Sequence, residues 1–214
     1  MSRILVTFVT SSEFKRLENS ALQSACRLTD GRAVSDVFEF DIRSVAMPEP
    51  LEADLEQLVR SEAAAAYARL RIPCVVEHAG LLFAEYADRN FPGGLTKPMW
   101  NTLGADFVRE THSAGRHATA RAVVAYCDGK TVHTFIGDTP GSLAEEPRGD
   151  IHQFYWDTVF VPDDGNPEKL TYSQIVEREG LPYKMANLSQ SAKAMRAFLD
   201  WRSSARPELW PDRE

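Results

Sequence analysis

The sequence predicts an α/β protein in which helices pack on a central sheet, and three observations lead to that fold class. Short apolar segments alternate with segments of helical periodicity over residues 4–77, in the order strand, helix, strand, helix, strand. The composition, with 43% hydrophobic and 26% charged residues, is typical of a globular domain. The 214 residues contain no internal repeat and no low-complexity linker, so we expect one domain over residues 1–214.

The first strand and helix are predicted from the N-terminal segment. Residues 4–10 are β-branched and aromatic, which favours a buried strand. Ser11 or Ser12 is suited to cap a helix over residues 13–28. The apolar stripe of this helix is expected to consist of Phe14, Leu17, Leu22 and Cys26.

Two more strands and a second helix follow. Residues 34–42 alternate in polarity and predict the second strand, after which Pro48 and Pro50 bracket a turn. Residues 51–70 are rich in Ala and Glu and carry apolar residues at helical spacing. Residues 72–77 are mostly apolar and predict the third strand, which completes the α/β pattern.

The second half of the chain has a different pattern. An Asp-Gly pair lies between two strand-like segments, and this pair is a strong signal for a hairpin. The expected segments are a loop at 90–94, a short helix at 98–103, hairpin strands at 120–126 and 131–136, a loop at 138–149, a strand at 154–161 and a final helix at 185–202.

The charge balance limits the class of partner. Lys and Arg number 24 against 31 Asp and Glu, a formal net charge of −7. A protein that coats a nucleic-acid polymer needs a basic face, which this balance disfavours. A small anionic substrate remains compatible if local lysines or a metal ion offset the charge.

Cysteine usage and the N-terminal segment predict a cytoplasmic protein. The three cysteines are widely spaced and form no C-x-x-C motif, which argues against a disulfide framework or a structural zinc site. The N-terminal apolar run is short and is interpreted as a strand, not a signal peptide. No apolar stretch approaches the roughly 20 residues that a membrane span needs, so no membrane partner is expected.

Several residues are candidates for chemistry, each with an ordinary structural alternative. Lys15 lies in the first turn of a helix after a strand, where an anion is favoured, but it is equally a solvated lysine. Glu77 and His78 come after an apolar strand, where α/β enzymes place ligands and bases; a capped strand end is the alternative. Glu49, between two prolines, is either a carboxylate for a hard cation or an exposed side chain.

An aromatic segment supplies the last candidate. Phe154, Tyr155 and Trp156 precede Asp157, so rings able to stack on a planar base lie beside a hydrogen-bond acceptor. Core aromatics with a structural role are the alternative. His112 and His117 have no third ligand nearby in the sequence and predict no metal site.

Taken in order, the motifs resemble one family. They are T-x-x-x-x-K after the first strand, a P-E turn, an Ala-rich helix, V-E-x-x-x-L, a P-G-G-x-x-K loop, F-x-W-D, and a final helix that carries a serine and is preceded by a lysine. This order and spacing resembles the inosine triphosphate pyrophosphatase family, the non-canonical purine NTP pyrophosphatases, from residue 4 to about residue 199.

The resemblance implies a fold, a reaction and an assembly. The fold is a mixed central sheet flanked by helices, with two lobes and a cleft between them. The reaction is hydrolysis of a nucleoside triphosphate to a monophosphate and pyrophosphate with Mg²⁺, or with Mn²⁺ in its place. The assembly is a homodimer.

The resemblance also implies roles for individual positions of this chain. His78 and Glu77 take the catalytic positions, and Glu77 with Glu49 the metal-binding ones. The substrate-binding positions, from the phosphates to the base, are Thr10, Ser12, Lys15, Lys97, Phe154, Trp156, Asp157, Lys184, Ser189 and Gln190.

The chain departs from the family pattern at the phosphates, the metal and the base. His78 stands where a second acid is expected, and Glu62 stands where a lysine is expected on the Ala-rich helix. Since these two changes exchange charge, we expect the Glu62 and His78 side chains to lie within hydrogen-bond range. The triplet S-H-R that reads a purine keto group is Ser189-Gln190-Ser191, and a glycine of F-G-W-D is Tyr155.

Three functions are compatible with these residues. The first is a nucleotide pyrophosphohydrolase with altered base or phosphate specificity and a weak preference for inosine or xanthosine triphosphate. The second is a non-catalytic nucleotide-binding or regulatory protein that retains the cleft. The third, a partner-binding α/β domain, is disfavoured by the shared motif order.

Overall fold

The computed structural model describes residues 3–47, 50–150 and 155–204. In this part of the chain one seven-stranded mixed sheet has the order β2-β1-β3-β5-β6-β7, and β4 pairs with β3. β1 pairs in parallel with β2 and β3, and the other pairs are antiparallel. The strands are β1 (Ile4–Val9), β2 (Phe38–Arg43), β3 (Cys74–Phe83), β4 (Pro92–Gly93), β5 (His117–Cys127), β6 (Val132–Leu143) and β7 (Phe160–Pro162).

Helices cover the sheet, as the predicted fold class requires. The described α-helices are α1 (Glu13–Ala25), α2 (Val34–Val37), α3 (Leu55–Leu70), α4 (Thr96–Leu103), α5 (Phe107–Glu110), α6 (Tyr172–Glu179), α7 (Leu181–Asn187) and α8 (Gln190–Ser204). Three 3-10 segments lie at Ala84–Arg89, Gly104–Asp106 and Tyr155–Thr158. No helix among the described residues is long and apolar enough to span a membrane.

Helix α1 begins as expected but buries a different face. Ser12 caps it by accepting a hydrogen bond from the Lys15 backbone N–H. Leu17, predicted to lie in the apolar stripe, is 47% exposed, whereas Glu18 and Asn19 are buried. The helix therefore directs two polar side chains inward, and the pattern of apolar residues alone could not show this.

Several predicted segments differ from the structure. In the predicted strand at 154–161, residues 155–158 form a 3-10 helix, and only the end of the segment belongs to a strand. Residues 34–37 form a helical turn before β2, and β3 continues six residues past Glu77, to Phe83. The predicted loop at 138–149 begins as the second half of β6, because β6 pairs with β5 along its whole length. The final helix is divided into α7 and α8 by Leu188 and Ser189.

Three hydrophobic clusters among the described residues mark two lobes: two clusters lie on opposite faces of the sheet in one lobe, and the third forms the other lobe. Alternate residues of β5 face opposite sides of the sheet: Val124 packs with α1 and α8, and Val123 packs with α3. A third cluster, with Trp100, Phe107 and Phe160, forms around the far ends of β3, β5 and β6. The cleft lies where α1 and α8 face the segments that carry Trp100 and Trp156.

Candidate active site

Two adjoining cavities form one cleft across the middle of β3. Five side chains line both cavities: Ser12, Lys15, Glu77, His78 and Lys97. One cavity, the aromatic end, adds the residues Phe14, Glu18, Ala79, Trp100, Asn101, Tyr155, Trp156, Asp157, Gln190 and Ser191. The other, the polar end, adds Val9, Thr10, Ser11, Ser44, Val45, Ala46, Met47, Glu62 and Val76.

Glu77 lies at the junction of the two ends. Its carboxylate is buried, and Lys15 Nζ lies 3.4 Å from Oε2 while Ser191 donates a 3.0 Å hydrogen bond to Oε1. The Lys15 ammonium also donates to the Glu77 backbone carbonyl. Residues of α1 and α8 thus hold one carboxylate of β3 in a fixed position at the centre of the cleft.

His78 and Glu62 form the pair that we expected from their exchanged charges. His78 Nε2 lies 2.6 Å from Glu62 Oε2, and Glu62 is 4% exposed. The alternation of β3 explains the contact, because His78 faces α3 while Glu77 faces α1 and α8. Glu62 belongs to the buried stripe of α3 beside Val59 and Ala63.

Glu77 and His78 lie in the middle of β3, which corrects the prediction that they follow the end of a strand. Glu77 is paired with Val124 and His78 with Val123. Arg60, the basic residue of α3 nearest to Glu62 in the sequence, binds Glu56 and the carbonyl of Val132 on an exposed face and does not replace the expected lysine.

Lys97 lies in the first turn of α4, and hydrogen bonds of Thr96 fix this turn to β3. Thr96 Oγ1 accepts a hydrogen bond from the Leu81 N–H at 2.9 Å and donates to the Gly93 carbonyl at 2.7 Å. Gly80 permits this contact, because a Cβ there would lie 2.1 Å from the Gly93 oxygen. The position of Lys97 therefore depends on a close approach between two backbone segments.

Asp157 belongs to a buried charge network behind the aromatic end. Lys184 Nζ lies 2.5 Å from Asp157 Oδ2 and 3.3 Å from Glu18 Oε1. Burial raises the pKa of Glu18 to about 7, although Lys184 opposes this effect. Burial likewise raises the pKa of Asp157. Burial by itself would lower the pKa of Lys184, but the charges of Asp157 and Glu18 outweigh this effect and raise it. The lysine is thus fully engaged by the protein's own carboxylates.

The start of α8 contributes the last predicted residues. Gln190 is buried and lines the aromatic end, and its Oε1 makes no hydrogen bond among the described residues. Ser189 caps the helix, since its Oγ accepts from the Ala192 N–H at 3.3 Å, and it does not line either cavity. Thr10 lines the polar end, where its Oγ1 accepts from the Ser12 N–H.

Two predicted residues cannot be placed, and others were missed. Glu49 and Phe154 lie outside the described residues. Glu18 was not predicted, although it lies three residues after Lys15 and so shares its helical face. Trp100 and Asn101 were also missed, because only the tertiary fold brings α4 to the cleft. Tyr155 has a φ of 49°, a left-handed conformation that glycine adopts more readily.

Comparison with known proteins shows the family to which this chain belongs. Residues 6–201 match the profile of the Ham1 family. The chain belongs to the Ham1 family. The dITP/XTP pyrophosphatase of Saccharolobus solfataricus is 32% identical over 153 residues, 71% of this chain and 74% of that protein. The inosine triphosphate pyrophosphatase 2 of Trypanosoma cruzi is 29% identical over 196 residues, 90% of this chain and 89% of that protein.

Solved structures of Ham1-family proteins have the same fold. The Staphylococcus aureus Ham1 protein aligns with a TM-score of 0.58 at 16% identity, over 93% of this chain and all of that one. The nucleoside-triphosphatase / dITP/XTP pyrophosphatase of Mycobacterium abscessus aligns with a TM-score of 0.55 at 19% identity, over 82% and 91%. The predicted family and the predicted mixed α/β fold are confirmed.

A divalent cation is implied for a Ham1-family protein, and the carboxylates of the polar end are the groups that would hold it. No group of three or more His, Cys, Asp and Glu suited to a metal exists within the described ranges. Two buried carboxylates, Glu62 and Glu77, nevertheless line this end, and Glu62 Oε1 has no hydrogen-bond partner there. Mg²⁺ binds through one or two carboxylates and fills its shell with water and substrate phosphates. The residues fit a cation held in that way.

Proposed function

We propose that this Ham1-family protein is a nucleoside-triphosphate pyrophosphohydrolase that converts an NTP and water to an NMP and pyrophosphate, with altered base specificity. One observation carries the proposal: Glu77 and His78 lie between an end with lysines and carboxylates and an end with aromatic rings. A nucleotide bound along this cleft has its phosphates at the polar end and its base at the aromatic end. The names of the relatives support this reaction.

The polar end supplies charge for the phosphates. Lys15 and Lys97 bind phosphate oxygens, with Thr10 and Ser12 as neutral contacts. Glu77 and Glu49 are the predicted ligands of the cation, which we propose to be Mg²⁺ with Mn²⁺ as the alternative, and Glu62 would add a further carboxylate at this end. The cation neutralises charge on the phosphate oxygens when bound.

His78 is proposed to position the attacking water. When Nε2 donates to Glu62 Oε2, Nδ1 keeps its lone pair and accepts a hydrogen bond from water. The water oxygen forms a bond to the α-phosphorus as its proton passes to His78 Nδ1, and the bond from that phosphorus to the bridging oxygen breaks, so that pyrophosphate leaves. Glu62 acts on this step through the orientation of His78.

The aromatic end is proposed to bind the base. Trp156 offers a ring for stacking, and its own ring contacts Phe160 edge to face, which fixes its plane. Asp157 and Gln190 contact the edge of the base, whereas Lys184 acts through Asp157. The predicted roles of Phe154 and Ser189, the homodimer and the cytoplasmic location stay predictions.

One observation favours a second candidate, a nucleotide-binding protein without turnover. His78 and Glu62 satisfy each other, and this internal pair removes one acid from the polar end. A protein of this kind binds nucleotide and cation but releases no pyrophosphate.

The two candidates are separated by a pyrophosphate-release screen. The panel contains purine and pyrimidine nucleoside mono-, di- and triphosphates with Mg²⁺ or Mn²⁺, and includes ITP and XTP. We expect turnover of at least one triphosphate. Glu77→Gln should lower the rate about 100-fold or more, because that carboxylate is the proposed ligand of the cation that offsets negative charge on the phosphate oxygens. The matched control is Glu39→Gln, an exposed residue of β2.

The proposal is contradicted if no nucleotide of the panel yields pyrophosphate. If a nucleotide then raises the melting temperature, the binding protein is supported instead, since a ligand at 100 times its Kd adds about 2.7 kcal/mol of stability. Turnover that persists in Glu77→Gln contradicts the assigned site.

A further inference from the structure

A second cavity lies outside the cleft, between the end of α1, the loop that follows it, α7 and α8. It has a volume of about 550 Å³ and shares no lining residue with either end of the cleft. Leu28, Met185 and Leu188 line it and are buried side chains of the core. The loop is held to α8, because the backbone N–H and the hydroxyl of Thr29 both donate to the Asp200 carboxylate. The walls of this cavity therefore have fixed positions.

The charged residues that line this cavity are all basic. They are Arg27 in the loop and Lys193 and Arg196 on α8, and no Asp or Glu of the described chain lines the cavity with them. We call it the basic cavity. The whole chain has a formal net charge of −7, so a concave surface with three cations and no acid does not follow from its composition. A cavity lined by one sign of charge concentrates ions of the opposite sign.

Two of the three cations lie close together on one face of α8. Lys193 and Arg196 are three residues apart, a spacing that places side chains side by side on a helix. Burial lowers the pKa of Lys193, and the positive charge of Arg196 lowers it further, while Asp164 and Asp138 act in the opposite direction. An anion bound between Lys193 and Arg196 offsets the repulsion between them.

All three side chains keep hydrogen-bond donors for a ligand. Lys193 donates to the Asp138 carbonyl and to the Thr139 hydroxyl, which uses two of the three donors of its ammonium group. Within the described ranges, Arg27 donates to one backbone carbonyl of its own loop. The Arg196 guanidinium is exposed and forms no hydrogen bond or ion pair with a described residue.

We propose that the basic cavity is a second binding site, which takes the diphosphate group of a small anion through Arg27, Lys193 and Arg196. Guanidinium groups bind phosphate oxygens through paired N–H···O bonds, and a group with several negative charges matches three cations better than a monovalent ion does. The diphosphate group has two sources, free pyrophosphate and a nucleoside diphosphate. The site does not depend on the reaction proposed for the cleft.

Cys26 supplies a local readout of binding. Its thiol is half-buried and lines the basic cavity, whereas Cys74 and Cys127 are buried. The protein is labelled with the neutral reagent N-ethylmaleimide at increasing concentrations of pyrophosphate or ADP, with NaCl keeping the ionic strength constant. Peptide mass spectrometry measures the rate at which Cys26 is labelled. We expect saturable protection, and the ligand that protects at the lower concentration identifies the free anion or the nucleotide.

Two matched variants identify the cation responsible. Arg196→Gln is expected to raise the concentration for half-maximal protection about tenfold, the effect of one charge-assisted hydrogen bond. Arg89→Gln, an exposed arginine outside the basic cavity, should leave this concentration unchanged. Burial raises the pKa of the Cys26 thiol and Arg196 opposes this effect, so each variant is compared with its own labelling rate without ligand.

A third variant separates the basic cavity from the cleft. Lys97→Gln removes a proposed phosphate contact of the cleft and should keep the protection of Cys26. Three results overturn the proposal: neither ligand slows labelling beyond NaCl at the same ionic strength, Arg196→Gln is protected at the wild-type concentrations, or Lys97→Gln abolishes the protection. None of these results measures pyrophosphate release, so the proposed function is tested separately.

Discussion

At the scale of single residues, the most informative feature is a pair of exchanged charges. Glu62 on α3 and His78 on β3 occupy positions where the family resemblance led us to expect a lysine and an acid. They meet at 2.6 Å in a buried environment. Either residue alone would leave a buried polar group without its partner, which costs far more than an exposed change. The two substitutions are therefore best understood as one.

The pair predicts a reciprocal swap experiment. Glu62→Lys places an ammonium against His78, and His78→Asp places a carboxylate against Glu62, so each single variant should lower the free energy of unfolding by about 3 kcal/mol. The double variant places an ammonium against a carboxylate and should recover much of this loss. Urea unfolding of the four proteins measures the coupling, for which about 0.5–3 kcal/mol is typical of residues in contact. Additive losses in the double variant would show that the two residues do not act together.

At the scale of elements, the cleft depends on how β3 meets the first turn of α4. The turn carries Lys97, and Thr96 fixes it to β3 through hydrogen bonds at both ends of its hydroxyl. Gly80 lets the two backbones approach, so this glycine has a packing role within a strand. A side chain at position 80 would push the first turn of α4 away from β3.

A methyl group at Gly80 should therefore affect both stability and binding. We expect Gly80→Ala to lower the free energy of unfolding by about 1–3 kcal/mol, since an added group in a close-packed contact forces the backbone to shift. Nucleotide affinity should fall as well, because Lys97 moves with the turn. Gly31→Ala is the control, since its φ of 88° adds strain while no atom lies within 4 Å of the new Cβ. Equal nucleotide affinities in the two variants would contradict this role of Gly80.

At the scale of the whole molecule, a buried charge network joins the parts that enclose the cleft. Glu18 lies on α1, Asp157 in the 3-10 segment Tyr155–Thr158, and Lys184 on α7. Glu77 and Asp157 both raise the pKa of Glu18 beyond the effect of burial, and Lys184 opposes them. The network thus carries more negative charge at high pH than Lys184 can neutralise.

The raised pKa of Glu18 predicts how stability varies with pH. Its value is about 7 in the folded protein against an ordinary 4.5, so the folded state binds more protons between these pH values. Stability should therefore fall as the pH rises through this window, with a slope from this group that approaches about 1.4 kcal/mol per pH unit. Glu18→Gln lacks this contribution and should lose less stability between pH 5 and pH 8.

Urea unfolding at several pH values compares the two proteins directly. Glu13→Gln, at an exposed position of the same helix, should follow the wild type at every pH. A constant difference in stability between wild type and Glu18→Gln from pH 5 to pH 8 would refute the assignment.

Much of the fold was determined by local sequence. The periodicity of residues 4–77, the Ser12 cap and the hairpin at Asp128-Gly129 depend on neighbours in the chain, and the structure has each of these elements. The candidate residues Lys15, Glu77, His78, Lys97, Trp156, Asp157 and Gln190, suggested by the motif order, all line the cleft. Their chemical roles stay predictions.

Other properties were decided only by the tertiary structure. The full lengths of β3 and β6 depend on pairing with β5, and the burial of Glu18 depends on Lys184, which lies 166 positions away. The contact between His78 and Glu62, although expected from their charges, required α3 to pack on the face of β3 that carries His78. That Gln190 Oε1 finds no hydrogen-bond partner in the described part of the chain is visible only once its surroundings are known. Local propensity determines which elements form, whereas burial, partnering and charge compensation depend on which elements meet.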